Sequence, residues 1–182
     1  MALKSTIFKA ELSVADIDRG QYDDYALTLA RHPSETDERM MVRLLAFALH
    51  ASESLSFGKG LSTEDEPDLS QRDLTGAIEL WIDVGLPDEK DVRKACGRAN
   101  EVHVYAYGGR AVGLWWNKAR EKLDTLPRLR VREVPIDASR ALVALAARSM
   151  RLHCTIQEGN ILFGDAATSV SIELVDLKAA VG

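Results

Sequence analysis

Two carboxylates share one side of a short apolar segment, Ala77-Ile78-Glu79-Leu80-Trp81-Ile82-Asp83-Val84. Read as a strand, it sends Ile78, Leu80, Ile82 and Val84 to one face and Glu79, Trp81 and Asp83 to the other, because strand side chains alternate with period two. A one-residue slip would expose the whole apolar set, so the acids are expected to meet water, cations or a ligand. Pro67-Asp68 stands upstream, and Lys90 and Lys94 lie downstream on a predicted helix. An acid ahead of a strand, another on it and a nearby amine form a donor set for holding Mg²⁺ against a phosphodiester. The metal takes hard oxygen ligands, and the amine offsets negative charge developing at the phosphate. Glu79 and Asp83 cannot easily share one ion, since four steps of extended chain separate them by about 13 Å. One is the main strand ligand, and spacing leaves open which.

The flanking segments must position these groups. Thr6, Phe8, Ala10, Leu12 and Val14 alternate with polar residues, 16–21 supplies a turn, and Tyr25, Leu27 and Leu29 line a return strand: an N-terminal β-hairpin. His32-Pro33 ends it, because proline lacks the amide donor and restricts its predecessor. Ser34 followed by Asp37 has capping-box spacing, and Met40, Met41, Leu44, Leu45, Ala48 and Leu49 predict a helix to about Ala51. On it Glu38 borders the core stripe, while Glu35 and Arg39 are expected to point elsewhere. Residues 58–76 read as one long loop containing Glu64-Asp65-Glu66-Pro67-Asp68. After the acidic strand come a helix from Pro87-Asp88-Glu89, a strand over 102–107, a helix over 110–123 and an arginine-rich strand near 128–133, a strand–helix order that implies parallel crossovers. Residues 138–148 read as a short helix, and 152–156, 160–163 and 170–177 as strands, with a turn at Glu158-Gly159-Asn160.

Composition bounds the rest. The 182 residues fit one domain, 1–182, and 46% hydrophobic beside 28% charged residues is a globular balance. No apolar run has signal-peptide or membrane-span length, which predicts a cytoplasmic protein with no membrane partner. Cys96 and Cys154 belong to no paired metal motif and read as buried thiols. A formal charge of −5 means that nucleic acid would need a local basic face. Arg128, Arg130 and Arg132 alternate into such a face, which ordinarily pairs with nearby acids. His32, His50, His103 and His153 have no partners by spacing and are assigned no catalytic role. Of Trp115-Trp116, at least one ring must enter the core.

Arg31-His32-Pro33-Ser34-Glu35-Thr36 entering a Met-rich helix, then Asp65-Glu66-Pro67, Leu80-Trp81-Ile82 and Gly85-Leu86-Pro87-Asp88-Glu89, closely resemble the YaeQ family of small bacterial proteins over nearly the whole chain. The resemblance implies an α/β fold of PD-(D/E)xK nuclease-like type, a mixed central sheet flanked by helices with its site where central strands diverge. The N-terminal hairpin and a C-terminal β extension are expected to enlarge that sheet. On this reading Pro67-Asp68 matches the Pro-Asp element, Asp83 is the preferred second acid with Glu79 its rival, and Glu38 matches the helical glutamate that completes such sites. The lysine departs from the pattern. Trp81 stands two positions beyond Glu79, and Gly85 two beyond Asp83. Relatives in that superfamily sometimes recruit the cation from the following helix, where Lys94 is the better match and Lys90 the weaker.

The implied activity is a Mg²⁺-dependent phosphodiesterase, with Mn²⁺ as substitute, acting on DNA or RNA. Asp68 and Asp83 would hold the metal, Glu38 or Glu79 would assist, and Lys94 would steady the phosphate or orient water. The missing lysine and net acidity favour an alternative, a binding module that retains the fold without the chemistry and contacts protein or nucleic acid.

Overall fold

The computed structural model describes residues 4–58 and 65–181; the expectations for the N-terminal Met1 to Leu3 and for the loop part 59–64, including Glu64, lie outside these. Alternation builds the first pair of strands, β1 (Thr6–Asp16) and β2 (Gln21–Arg31), antiparallel from Thr6 opposite Arg31 to Asp16 opposite Gln21. Phe8, Ala10, Leu12 and Val14 are buried on the inner face. Helix α1 follows (Asp37–Leu49), then β3 (Leu55–Phe57), β4 (Leu69–Arg72) and β5 (Ile78–Val84). The long loop expected over 58–76 thus contains β4, whose short Leu69-Ser70-Gln71-Arg72 run is held by pairing to β5 and β3 rather than by local pattern. From β5 the chain alternates: α2 (Glu89–Arg98), β6 (Ala99–Ala106), α3 (Arg110–Leu123) and β7 (Leu129–Glu133), with β5, β6 and β7 mutually parallel as expected. Helix α4 (Ile136–Leu142) and a 3-10 turn (Val143–Leu145) lead to β8 (Ser149–Gln157), β9 (Asn160–Gly164), β10 (Ser169–Ile172) and β11 (Val175–Lys178).

The strands form two mixed sheets among the described residues, ordered β11-β7-β6-β5-β4-β3 and β10-β9-β8-β1-β2. The N-terminal hairpin does not extend the central sheet; β1 pairs in parallel with β8, so the hairpin and most of the C-terminal strands make a sheet of their own. The expected strand over 170–177 is two strands that change sheets between Ile172 and Val175. Only β11 enlarges the central sheet.

Helix α1 packs between the sheets, which explains its composition. Met40 to Ala48 are all buried, joining the inner faces of both sheets and α4 in one core. Such a helix has no solvent face, so Arg43 is buried with its apolar neighbours. The other side of the central sheet packs Trp81, Val102, Val104, Leu129 and Val131 against Val92 and Ala95 of α2 and Trp116, Ala119 and Leu123 of α3. The β5 face bearing Glu79, Trp81 and Asp83 is therefore covered, not solvated as expected. A sheet with parallel crossovers carries helices over its faces, and here Trp81 is buried while Glu79 and Asp83 are half-buried.

The helix cap also lies later than predicted. Thr36, not Ser34, accepts the Arg39 amide (3.1 Å), while the Ser34 hydroxyl bonds His32 Nδ1 (2.6 Å) in the preceding turn. Thr36→Ala is accordingly expected to lower stability by about 1 kcal/mol and Ser34→Ala by well under that, a difference read from urea unfolding midpoints. Equal losses would put the cap elsewhere.

Candidate functional site

The antiparallel β4–β5 ladder pairs Leu69 with Ile82, so one step further Asp68 stands opposite Asp83. Here the chain leaves β4 and β5 at one end of the sheet, and the Asp68 carboxylate continues the ladder: its Oδ2 accepts the Val84 amide at 2.8 Å. Its other oxygen, Oδ1, accepts from Arg39 Nη2 at 2.6 Å. Arg39, on the first turn of α1, also donates to Glu35 (2.5 Å), and Glu35 takes Arg43 bidentately at 2.9 and 2.6 Å. Glu35, Arg39, Arg43 and Asp68 thus form one charge network reaching from the α1 core to the open cleft. Sequence reading placed Glu35 and Arg39 away from the core. Glu35 instead precedes the helix, because the cap is at Thr36, and it turns under the first turn to neutralise Arg43.

Asp68 and Asp83 both line a cleft of about 420 Å³ with Arg39, Tyr107, Asp88, Asp91 and the backbone from Val84 to Pro87. Burial first, and the Asp68 charge second, raise the Asp83 carboxyl to about 7. The Trp81 indole pulls the other way, although its N–H makes no hydrogen bond of ordinary geometry among the described residues. Burial works against the Arg39 charge, yet Asp68 and Glu35 outweigh it and hold the guanidinium above its ordinary value. Burial also raises the Tyr107 phenol, which therefore keeps its proton as a donor. The cleft thus sets one fixed cation, Arg39, against Asp68, with the Asp83 carboxyl of raised proton affinity beside them and Asp88 and Asp91 also in the lining.

The other predicted residues lie around this pair rather than in it. Glu79, at the far end of β5, accepts Gln71 Nε2 at 2.9 Å and does not line the cleft. Between the two strand acids, Asp83 is the one beside Asp68. Glu38 accepts the buried Ser139 hydroxyl at 3.2 Å and lies outside the cleft lining. Lys90 is exposed, its amide bonded to the Asp88 cap (2.9 Å), and exposed Lys94 follows Asp91 by one helical turn, further from the cleft lining. Among the described residues no three His, Cys, Asp or Glu side chains converge as a metal-binding group.

The position where a strand lysine would stand holds Gly85 at φ +110°, its amide donated to the Tyr105 carbonyl at 2.9 Å. A residue with a Cβ is strained there, so the backbone itself excludes the lysine. The nearby cation is Arg39, which sequence reading missed. Its signal was the run Glu35, Arg39, Arg43 at spacing four, opposite charges leading into a helix whose residues 40–49 are apolar apart from Arg43.

The chain belongs to the YaeQ family: the family model described as YaeQ protein matches residues 1–174. It is 47% identical over 174 residues to the YaeQ protein of Salmonella typhi and 45% identical over 174 residues to that of Escherichia coli K12, covering 96% of both chains in each case. The crystal structure of YaeQ from Xanthomonas axonopodis pv. citri superposes with a TM-score of 0.92 at 50% identity, covering 96% of this chain and 99% of that one. YaeQ from Pseudomonas syringae gives 0.92 at 36% identity, covering 98% of each. Among the described residues no helix is long and apolar enough to cross a membrane.

Proposed function

We propose that the Asp68–Asp83 cleft binds a divalent cation, Mg²⁺ with Mn²⁺ as substitute, and hydrolyses phosphodiester bonds of DNA or RNA. The observation that carries this reading is the cross-strand placement of the two aspartates beside the Arg39 guanidinium in one open cleft. The donor set fits the ion. Mg²⁺ is commonly held by one or two carboxylates, with water and substrate oxygens completing its shell, and the Asp83 carboxyl, whose proton affinity burial and the neighbouring Asp68 raise, is a group that a divalent charge would relieve. When bound, it would supply Lewis-acid stabilisation of the phosphoryl oxygens. Arg39, on this reading, takes the part that Lys94 has in the sequence expectation: a planar donor that can leave Asp68 for a phosphate oxygen while Glu35 holds its other edge. The Tyr107 hydroxyl adds a neutral donor on the same wall.

The test is calorimetry of EDTA-stripped protein with Mg²⁺ and Mn²⁺, with and without a short DNA or RNA duplex, followed by cleavage assays. Saturable binding is expected in the wild type and its loss in Asp83→Ala and Asp68→Asn. Arg39→Gln should retain the metal and lower cleavage by roughly 10²-fold or more. A second reading, the non-catalytic binding module, is favoured by the lack of a third converging ligand among the described residues. Nucleic-acid binding with neither metal uptake nor cleavage would select it and refute the first.

A further inference from the structure

At the other end of α1 lies a second cleft, of about 490 Å³, that shares no lining residue with the first. His50, the C-cap of α1, and Arg39 are separated by about 16 Å of helix at 1.5 Å per residue. The second cleft opens between the two sheets. His103 and Arg130 are register neighbours on β6 and β7, as are Tyr105 and Arg132. Arg19 and Asp16 come from the β1–β2 end, Asp176 from β11, and His50 reaches in from the helix. We propose that this cleft is a binding site for a phosphate-type oxyanion, free or as the terminal group of a monoester, with Arg132 as its anchor.

Charge accounting carries the inference. Arg19 closes on Asp16 at 2.5 Å, and Arg130 meets Asp176 at 3.3 Å. Asp18 accepts the Glu158 and Gly159 amides at 2.7 and 3.0 Å. Among the described residues Arg132 has no carboxylate within ion-pair distance. Its guanidinium donates to the Tyr105 hydroxyl and lies 4.9 Å from that ring's centre. The Tyr105 hydroxyl also meets His50 Nε2 at 2.5 Å, and with the phenol hydrogen directed there that nitrogen is an acceptor. His103 uses Nε2 toward Glu101 at 3.3 Å, while its buried Nδ1 and the buried Nε of Arg130 have no partner among the described residues. An arginine without an ion-pair partner and two unused nitrogens, His103 Nδ1 and Arg130 Nε, therefore line one cleft between the layers among the described residues.

The electrostatics agree in sign. Burial, then positive charges alone, from His103, Arg132, Arg19 and Arg130, hold His50 well below its ordinary range. Burial and Arg132 lower His103 to about 4, with Glu101 opposing. Burial raises the Tyr105 phenol to about 12, so it remains a donor. An entering oxyanion supplies the missing counter-charge and lets the imidazoles, 4.5 Å apart between ring centres, take up protons. The C-terminal end of α1 favours the same protonation of His50. Guanidinium and imidazole donors on β7, β6 and α1 approach from different directions, which suits a tetrahedral anion better than a planar carboxylate.

The experiment is calorimetry of the full chain with inorganic phosphate and with glycerol phosphate at about pH 6 and about pH 8, beside NMR of the histidine side-chain nitrogens. Saturable binding is expected, tighter at the lower pH, with His50 and His103 signals moving. Arg132→Gln should weaken it roughly tenfold or more, and His103→Gln should reduce its pH dependence with the fold retained. Asp83→Ala should leave it unchanged, so that this site stands or falls apart from the Asp68–Asp83 reading. Equal affinity for both probes would mark a terminal phosphate group as the ligand, and phosphate alone a free ion. Absence of saturable binding to about 10 mM in the wild type, or unchanged affinity and unmoved histidine signals in the two variants, would overturn the proposal.

Discussion

Glu35→Ala is expected to destabilise the protein by about 3–5 kcal/mol, the cost of leaving a buried charge without its partner. The Arg43 side chain is 0% exposed and that of Glu35 2%, so water cannot replace the carboxylate. Removal would strip two hydrogen bonds from Arg43 and one from Arg39, leaving Arg43 with the Ala30 carbonyl (3.2 Å) and the Phe57 ring, 5.8 Å from its guanidinium carbon. Replacing Glu35 and Arg43 together by methionine should recover most of the loss, because neither desolvation cost then remains. Urea unfolding of the two single variants and the pair would measure the coupling directly. A single-variant loss below about 1 kcal/mol would mean that the core relaxes around Arg43 and admits water. The same variant frees one edge of Arg39, so the network joins core stability to the geometry of the Asp68–Asp83 cleft.

Asp83→Asn is expected to make the protein more stable above neutral pH and nearly unchanged below about pH 4. The sign follows from the direction of the shift. Burial and then the Asp68 charge push the folded carboxyl up to about 7, against an ordinary value of 3.8. Between those values the folded state holds a proton that the unfolded chain has released, so stability falls as pH rises through the window. Above about 7 the carboxylate burdens the folded state by on the order of 2–4 kcal/mol. Asparagine keeps the shape without the charge. Urea midpoints at about pH 5 and about pH 8 should converge for the variant relative to the wild type. If both proteins lose the same stability between these pH values, Asp83 is ionised throughout and the cleft is wetter than its geometry implies. A carboxyl poised in this way is also the kind of group that functional sites collect.

How far this was legible in the chain depends on the range of the force involved. Local pattern located β1 and β2, β5, the start of α2 at Asp88, the bounds of α3 and the strand β7, since each rests on alternation, helical spacing or a cap within a few residues. The same pattern, with the resemblance in Arg31 to Thr36 and Gly85 to Glu89, identified the family and put Asp68 and Asp83 forward together. Local pattern misplaced the α1 cap, because Ser34 and Thr36 are both good caps and the His32 ring claims the first. It missed β4, which exists through β5, and joined β10 to β11, which different sheets divide.

By itself, the sequence determined the parallel β5–α2–β6–α3–β7 unit, the N-terminal hairpin and the pair of aspartates, because periodicity and capping act over short separations. Only the tertiary structure decided that Asp83 rather than Glu79 faces Asp68, that Arg39 rather than Lys94 stands beside them, and that His50, His103 and Arg132 meet at the far end of α1. The first of those facts depends on the β4–β5 register, and the others on which sheet covers which face of a helix buried from Met40 to Ala48. Contacts between residues tens of positions apart set that arrangement, and no spacing along the chain encodes them.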